Sequence, residues 1–148
     1  MTTVSGGVTS TVSAATESGD IVLFGGTLIV ISSGIIVDTD DSGHVFVSAG
    51  GTAIDTTVNS GGVEAVFGGG TAIGTVVSGH GTEAIASGGT AIGTVVSSHG
   101  TDFIARGGTA IGTIVTGAFS QRCEHFVRGW PRSRASARAT LITAQSAA

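Results

Sequence analysis

Apolar residues recur along this 148-residue chain as short runs separated by polar, glycine-rich segments. Residues 21–24 and 28–31 are two such runs, and they consist only of Val, Ile, Leu and Phe. Runs of this length, rich in β-branched residues and bounded by turn residues, predict strands rather than helices. None of them approaches the ~18 consecutive apolar residues of a membrane-spanning helix. The pattern therefore predicts an all-β chain without a membrane span.

The runs belong to a repeat of constant period. The pentapeptide Gly-Gly-Thr-Ala-Ile starts at positions 50, 69, 88 and 107, and Gly-Gly pairs start at positions 6 and 25. The 25-residue step from position 25 to position 50 is interpreted as one coil with a six-residue insertion near the acidic turn 38–43. Units too short for a helix and two turns bury their apolar faces by stacking on one another. The repeat predicts a right-handed β-helix, or β-solenoid, of about six coils over residues 1–119.

Each coil is predicted to contain two principal strands, joined by corners that glycine marks. In the unit 88–106 the strands are 90–96 and 101–105, with a polar corner at 97–100 between them. Stacked coils place equivalent residues ~4.8 Å apart in ladders along the axis. Replacing Ile92 by Asp is expected to lower the melting temperature sharply, because Ile92 lies in one of three predicted core ladders. These ladders are Ile54, Ile73, Ile92 and Ile111; Val58, Val77, Val96 and Val115; and Val66, Ile85 and Ile104.

The composition is that of an ordered chain. Glycine contributes 26 residues and charged residues only 11%, but hydrophobic residues reach 41% and are rich in Val and Ile. Disordered chains are poor in β-branched residues. The single cysteine, Cys123, excludes an internal disulfide framework. Residues 1–7 lack the basic region and apolar core of a secretory signal, so we expect either a fragment of a longer exported protein or export by another route.

Residues 120–148 do not continue the repeat. They carry five of the six arginines and one acidic residue, a net charge of +4, whereas residues 1–119 carry nine acidic residues and one arginine, a net charge of −8. Three interpretations fit this change: a frameshifted or degenerate gene end, a disordered basic tail of low order, or an arm that binds nucleic acid or membranes. Scattered arginines with one tryptophan are a weak phosphate-binding pattern, so no nucleic-acid partner is predicted.

Acidic residues recur at one position of the repeat, which Glu64, Glu83 and Asp102 occupy in three successive units. A ladder of carboxylates could hold Ca²⁺, which takes oxygen ligands. The calcium-binding nonapeptide pattern is absent, however, and the three side chains are expected to be solvated on an outward face. The acidic turn 38–43 likewise lacks the spacing of an EF-hand. No calcium site is therefore predicted.

Two histidines, His80 and His99, occupy the same corner in adjacent coils and are expected to be neighbours. Two imidazoles could share a transition metal, but a zinc site needs three or four ligands. We interpret both as exposed turn residues that replace a glycine, because Gly61 stands at this position one coil earlier. Neither a metal site nor a cofactor is predicted.

Two other functions known for β-solenoids are catalysis on polysaccharides and binding of ice. Polysaccharide-acting β-helix enzymes use paired acids around a substrate groove, whereas minimal, regular coils leave no loop to build a cleft, so no catalytic residue is assigned. Regular threonine arrays on flat β-solenoids can bind ice, usually with a Thr-x-Thr spacing. The two threonine ladders of this chain have a spacing of four within each coil. They are Thr52, Thr71, Thr90 and Thr109, and Thr56, Thr75, Thr94 and Thr113.

The repeat resembles the strand–loop–strand repeats of bacterial autotransporter adhesin passengers, which include diffuse-adherence adhesins and self-associating antigens. The resemblance lies in the Ser-Gly-Gly corners at 60–62 and 87–89 and in the Gly-Gly-Thr-Ala-x-x-Thr-x-Val strand, and it covers residues 5–117. It implies a secreted or cell-surface β-helix that supports adhesion, autoaggregation or biofilm formation, with host or bacterial surface ligands as partners. Open strand edges or faces would allow self-association. The alternative is a structural repeat module of a larger secreted protein.

Some members of this group carry heptose on repeat serines, added by a dedicated heptosyltransferase. The resemblance therefore implies candidate glycosylation sites on the corner serines. These are Ser60, Ser78, Ser87, Ser97 and Ser98.

Overall fold

The computed structural model shows the chain wound into a β-solenoid of about six coils, as the repeat predicts. The structure describes residues 1–116 and the backbone of residues 142–144. Strands numbered along the chain form three parallel sheets, A, B and C, and no helix occurs in this part of the chain. A coil passes through sheets A, B and C in turn and then returns to sheet A one level higher. Each coil thus has three short strands, not the two that we expected.

Sheet A contains the shortest strands, in most of which the first residue faces solvent and the second faces the interior. The expected strand 90–96 is broken at Gly93, because this residue has a φ of 71° and turns the chain from sheet C into sheet A. The strands of sheet A are β1 (Thr3–Val4), β4 (Ile21–Val22), β7 (Asp40–Asp41), β10 (Thr57–Val58), β13 (Val76–Val77), β16 (Val95–Val96), β19 (Ile114–Thr116) and β20 (Ile142–Ala144).

Sheet B contains the longest strands, and the alternation along them gives two inward residues per coil. In β14 the inward residues are Glu83 and Ile85, whereas Thr82 and Ala84 face outward. The strands of sheet B are β2 (Thr9–Ser13), β5 (Thr27–Ile31), β8 (His44–Val47), β11 (Val63–Val66), β14 (Thr82–Ile85) and β17 (Thr101–Ile104).

Sheet C consists of three-residue strands with a single inward residue each. In the Thr-Ala-Ile strands that inward residue is alanine, as at Ala72 and Ala91, while threonine and isoleucine lie on the outer face. The strands of sheet C are β3 (Thr16–Ser18), β6 (Ile35–Val37), β9 (Thr52–Ile54), β12 (Thr71–Ile73), β15 (Thr90–Ile92) and β18 (Thr109–Ile111).

The core confirms two of the three predicted ladders and corrects the third. The ladder of Val58, Val77, Val96 and Val115 and the ladder of Val66, Ile85 and Ile104 are buried. The isoleucine ladder from Ile54 to Ile111 is in register as predicted, but it lies on the outer face of sheet C, where Ile92 is 39% exposed. Alanine takes the inward position instead, so the sharp loss of stability expected for Ile92→Asp does not follow from this structure.

The strand register also removes the predicted insertion between positions 25 and 50. Ile21 pairs with Asp40, one full repeat later, and Thr27 pairs with His44, slightly less than one repeat later. Gly25 stacks on Gly7 at the corner between sheets A and B, whereas Gly50 stacks on Gly69 at the corner between sheets B and C. The two glycines occupy different corners, and the long step between them is not an enlarged coil.

Glycine pairs at the corner between sheets B and C meet two separate requirements. Gly88 has a φ of 81°, in the left-handed region that residues with a Cβ enter only with strain. Gly89 lies so close to the coil below that a Cβ would overlap the carbonyl oxygen of Val66. The first glycine of the pair therefore serves the turn, and the second permits the stacking of one coil on the next.

Gly89→Ala is expected to destabilise the solenoid by about 3 kcal/mol or more, because the overlap with a backbone atom forces the coils apart. The matched control is Gly93→Ala. Gly93 has a φ of 71° but no atom within 4 Å of an added Cβ, so only the conformational cost of about 1–2 kcal/mol applies. Urea denaturation of both variants measures the difference. Equal losses would show that coil stacking does not require the second glycine.

The predicted boundary at residues 119–120 and the predicted low order of residues 120–148 fall largely outside the described residues. Within this segment the structure describes only β20, which pairs in parallel with β19 through Ile114–Ile142 and the two following residue pairs. Three residues of the basic segment thus extend sheet A by one strand.

Candidate functional site

The corner between sheets A and B carries most of the polar side chains singled out in the sequence. In the last two complete coils this corner is a tight turn, closed by hydrogen bonds from the Gly81 amide to the Ser78 carbonyl and from the Gly100 amide to the Ser97 carbonyl, both 2.8 Å long. The central residues of the second turn, Ser98 and His99, have φ values of 44° and 68°. We call residues 59–61, 78–80 and 97–99 the serine–histidine corner.

The two histidines of the serine–histidine corner are neighbours, as predicted. The imidazole rings of His80 and His99 stack with centroids 5.0 Å apart and an interplanar angle of 9°. Both side chains are exposed, and both residues have positive φ at the position that Gly61 occupies one coil earlier. The prediction of exposed turn residues that replace a glycine is therefore confirmed.

The five candidate glycosylation serines lie at two corners. Ser60, Ser78, Ser97 and Ser98 belong to the serine–histidine corner, and Ser87 lies at the corner between sheets B and C. Three of these side chains are exposed and two are half-buried. The exposed serines are Ser60, Ser87 and Ser98, and the half-buried serines are Ser78 and Ser97.

The acidic ladder lies inside the solenoid, which corrects the expectation of a solvated outward face. Glu64, Glu83 and Asp102 pair in register as predicted, but their side chains are only 0%, 0% and 4% exposed. They point inward from sheet B, because each stands two residues before a core residue of the third ladder. We call these three side chains the acidic column. The only Lys or Arg within residues 1–116 is the exposed Arg106.

Burial keeps two members of the acidic column from ionising at their ordinary pH. Removal from water raises the pKa of Glu64 to about 7, although the Thr75 hydroxyl donates a 2.8 Å hydrogen bond to its carboxyl group. Burial raises the pKa of Glu83 well above its ordinary value, and the neighbouring carboxyl groups of Glu64 and Asp102 raise it further. Thr94 lies beside Glu83, yet neither Glu83 oxygen reaches hydrogen-bond geometry with a partner. Below neutral pH, both glutamates are therefore held in their neutral form.

The acidic segment 38–43 is not a single turn, which corrects its description as a candidate cation loop. Asp38 turns the chain into sheet A with a φ of 54°, whereas Asp40 and Asp41 form β7. Asp40 faces solvent and Asp41 is fully buried, where burial raises the pKa of Asp41 to about 7. The Gly43 amide donates a 2.8 Å hydrogen bond to Asp41 Oδ1. The carboxyl groups of this segment therefore diverge and do not surround a common point.

The two threonine ladders lie on opposite sides of the solenoid wall. The ladder from Thr52 to Thr109 is on the outer face of sheet C, where its members alternate with the isoleucine ladder. The ladder from Thr56 to Thr113 is buried and faces the acidic column. On the outer face of sheet C the threonine row therefore lies beside isoleucine, and the second threonine row considered for ice binding is buried.

No three of the His, Cys, Asp and Glu side chains in the described part of the chain are arranged to hold a metal ion. None of its elements is a helix long and apolar enough to cross a membrane. Within residues 1–116, His80 and His99 form a stacked pair of imidazoles at the surface.

Alternation along sheet B was the signal that could have placed the acidic column. Val66 and Ile85 were predicted to be core residues, and residues two positions apart on a strand share a face. Glu64 and Glu83 should therefore have been assigned to the interior. Asp41 was also missed as a buried acid, and its place in the ladder of Val22 and Val58 becomes visible only from the register of sheet A.

Comparison with protein-family models and with curated proteins finds no match. Among solved structures, the chain is similar to the crystal structure of a TibC-catalysed, hyper-glycosylated fragment of TibA, an autotransporter adhesin. The sequences are 30% identical and the TM-score is 0.66. The match covers 76% of this chain and 51% of that one. This chain thus spans about half the length of the fragment that it matches.

Proposed function

Since the 19-residue repeats of this chain are of the autotransporter adhesin passenger type, we propose that it acts as a secreted or cell-surface adhesin segment that supports adhesion or autoaggregation. The outer surface is the observation that carries this proposal. Parallel ladders repeat the same side chains coil after coil, so each face offers a regular array of weak contacts rather than a single cleft. Arrays of this kind suit multivalent attachment, in which many weak contacts add up to strong binding.

Self-association has a second physical basis in the strand edges of the terminal coils. In the described part of the chain, β17 and β18 are the last strands of sheets B and C, while β20 covers β19 in sheet A. Unpaired amide and carbonyl groups on edge strands can pair with another chain. We propose that the end strands of sheets B and C in this part of the chain, β17 and β18, are edges through which one solenoid extends another.

We expect the purified full-length chain to associate reversibly in the presence of EDTA. Light scattering over a dilution series should show a mean mass that rises with concentration, because edge and face contacts between copies are individually weak. A matched variant carries Thr101→Lys and Thr109→Lys, which keep the amide hydrogen bonds of these residues to Gly81 and Gly89. It is expected to lower association, because lysine on an edge strand opposes pairing with another chain. A strict monomer at the highest concentration would contradict the proposal.

The corner serines are proposed as acceptors of a sugar from a heptosyltransferase of the TibC type. The similar TibA fragment is hyper-glycosylated by TibC, and the corners of this chain present exposed serine hydroxyls. Access decides the order of modification. Ser60, Ser87 and Ser98 are exposed and should react first, whereas Ser78 and Ser97 are half-buried next to the valine ladder of sheet A.

Co-expression with such a transferase tests this proposal by intact mass and peptide mapping. We expect sugar-sized mass additions that fall by three when Ser60, Ser87 and Ser98 are replaced by Ala together. Replacing Ser10 and Ser13, which lie on strand β2 rather than at a corner, is the matched control and should leave the additions unchanged. An unmodified wild-type chain would contradict the assignment of acceptors.

Catalysis receives no support from the acidic residues that could have performed it. Hydrolysis of a glycoside needs two carboxyl groups that reach the substrate. Glu64 and Glu83 lie inside the wall and are fully buried. The non-catalytic proposal therefore stands beside one alternative, a structural repeat module within a larger secreted protein.

A further inference from the structure

The stacked histidines of the serine–histidine corner have a backbone conformation that histidine adopts only at a cost. His80 and His99 have φ values of 73° and 68°, whereas Gly61 accepts the same conformation without strain one coil earlier. Left-handed φ costs a residue with a Cβ roughly 1–2 kcal/mol. Strained residues of this kind are concentrated at binding sites and turns with a specific role. Two successive coils therefore maintain an imidazole where glycine would be more stable.

The side chains have the freedom that ligation of a shared metal requires. Tetrahedral zinc holds imidazole nitrogens at ~2.0–2.1 Å, so two such nitrogens lie roughly 3.3 Å apart. The ring centroids are now 5.0 Å apart, so the rings must tilt toward each other. The residues beside the histidines include Gly79, Gly81 and Gly100, which have no side chains to block this tilt. The exposed imidazoles can therefore converge by rotation about their side-chain bonds.

The coordination shell cannot be completed within one copy from the described residues. A structural zinc site has four protein ligands, and in the described part of the chain no third His, Cys, Asp or Glu stands with this pair. The pair lies at an exposed corner, so a second copy can approach it. A two-fold axis through the metal would bring the same two side chains from each copy to one ion, the isologous arrangement of most dimers.

We propose that His80 and His99 bind a divalent transition metal ion, with zinc as the probe, and that the same pair from a second copy completes a four-imidazole site. The inference rests on the proposed self-association and adds a metal-dependent mode to it. In this metal-dependent mode the serine–histidine corner faces the second copy. In the metal-independent mode the edges of β17 and β18 face it instead. Two chains would lie side by side at this site, with their axes fixed by the shared ion.

The test uses the purified full-length chain with zinc chloride, followed by calorimetry and sedimentation velocity. We expect one zinc ion per two chains, a zinc-dependent dimer, and its dissociation by EDTA. His80→Asn and His99→Asn should each weaken zinc binding at least tenfold and abolish the zinc-dependent dimer. Asparagine tolerates positive φ, so the turn is retained. Substitution of cobalt for zinc should give the absorption spectrum of a tetrahedral ion in wild type only.

The matched control is His44→Asn. His44 is also exposed, but it begins β8 on sheet B and stacks on Phe46, and no other histidine of residues 1–116 stacks on it. This variant should bind zinc and dimerise like wild type. Unchanged binding in the double variant of His80 and His99, or one zinc ion per chain without dimerisation, would overturn the inference. Association that persists in EDTA reports on the proposed function separately, because the metal is then removed.

Discussion

Resistance to urea is expected to be greatest in acid and to fall as the pH rises from about 4 to above 7. In the unfolded chain the buried carboxyl groups ionise near their ordinary pKa values of 3.8 for Asp41 and 4.5 for Glu64. In the folded chain burial raises both pKa values to about 7. The folded state therefore binds more protons over this interval, and the free energy of unfolding decreases as protons are removed.

The expected size of this effect is large for a small domain. A pKa difference of about 3 units corresponds to about 4 kcal/mol of stability for one group. Asp41 contributes a loss of this order between pH 4 and pH 8, and the raised pKa values of Glu64 and Glu83 add to the loss in the same direction. Whole domains are stable by only roughly 5–15 kcal/mol. We therefore expect the solenoid to be marginal above neutral pH.

Urea denaturation at pH 4, 5.5, 7 and 8.5 measures this profile. The matched control is the double variant Glu64→Gln and Glu83→Gln, which keeps the shape of the side chains but removes two of the titrating groups. Its profile should be flatter than that of wild type, and at pH 8.5 it should be the more stable protein. A wild-type stability that rises from pH 4 to pH 8.5 would contradict the inward placement of the acidic column.

Val77→Asp is expected to unfold the solenoid at neutral pH, whereas Val76→Asp should leave it folded. The two valines are adjacent in β13, but Val77 is fully buried and Val76 is 37% exposed. An aspartate at position 77 would add a buried carboxyl group to an interior that already holds the acidic column. A buried, unpaired charge costs more than about 4 kcal/mol in the severe cases. A charge at position 76 remains in water and should cost about 1 kcal/mol or less.

Circular dichroism during thermal unfolding distinguishes the two variants. We expect a cooperative transition for Val76→Asp close to that of wild type and no native β signal for Val77→Asp at pH 7. At pH 4 the Val77→Asp chain should regain part of its structure, because its new carboxyl group is then largely protonated. Similar melting temperatures for both variants would show that the strand does not alternate as described.

The sequence was sufficient for the architecture because the repeat imposes it. A constant 19-residue period that returns glycine to the same corners is compatible with few folds other than stacked coils. The buried ladders that contain Val77 and Ile85 were predictable from this period. The number of strands per coil was harder to predict. Gly93 lies inside the predicted strand 90–96, and its positive φ, which creates a third side, is a property of the backbone.

The inward and outward faces of sheet C could not be read from hydrophobicity alone. In the Thr-Ala-Ile strand, isoleucine is the more apolar residue, and so it was assigned to the core. Sheet C instead points Ala91 inward and leaves Ile92 partly exposed. The inward position of sheet C is not restricted to small side chains, because Ile36 fills it in an earlier coil. In the later coils the inward alanines pack with Ile85 and Ile104 of sheet B, so polarity alone does not decide the orientation.

The acidic column was misplaced for the opposite reason. Charged residues are rarely buried without partners, and this rule outweighed the alternation that placed Glu83 beside Ile85. The rule concerns ionised groups, whereas burial favours the neutral form of a carboxyl group such as that of Glu83. Similarly, the contact between His80 and His99 followed directly from their equal repeat positions, but their tight stacking depends on left-handed turns that the sequence does not display.

The parallel register from β10 to β19 has a consequence for how such a chain can change in length. Every strand in this region pairs with its counterpart in the next repeat, and equivalent residues stack directly. Removing or duplicating one whole unit would therefore rejoin equivalent surfaces and preserve the cross-section. Each such event would alter the reach of the rod by one inter-strand spacing, ~4.8 Å. Unequal recombination between repeats can thus tune how far the molecule projects without a new fold having to evolve.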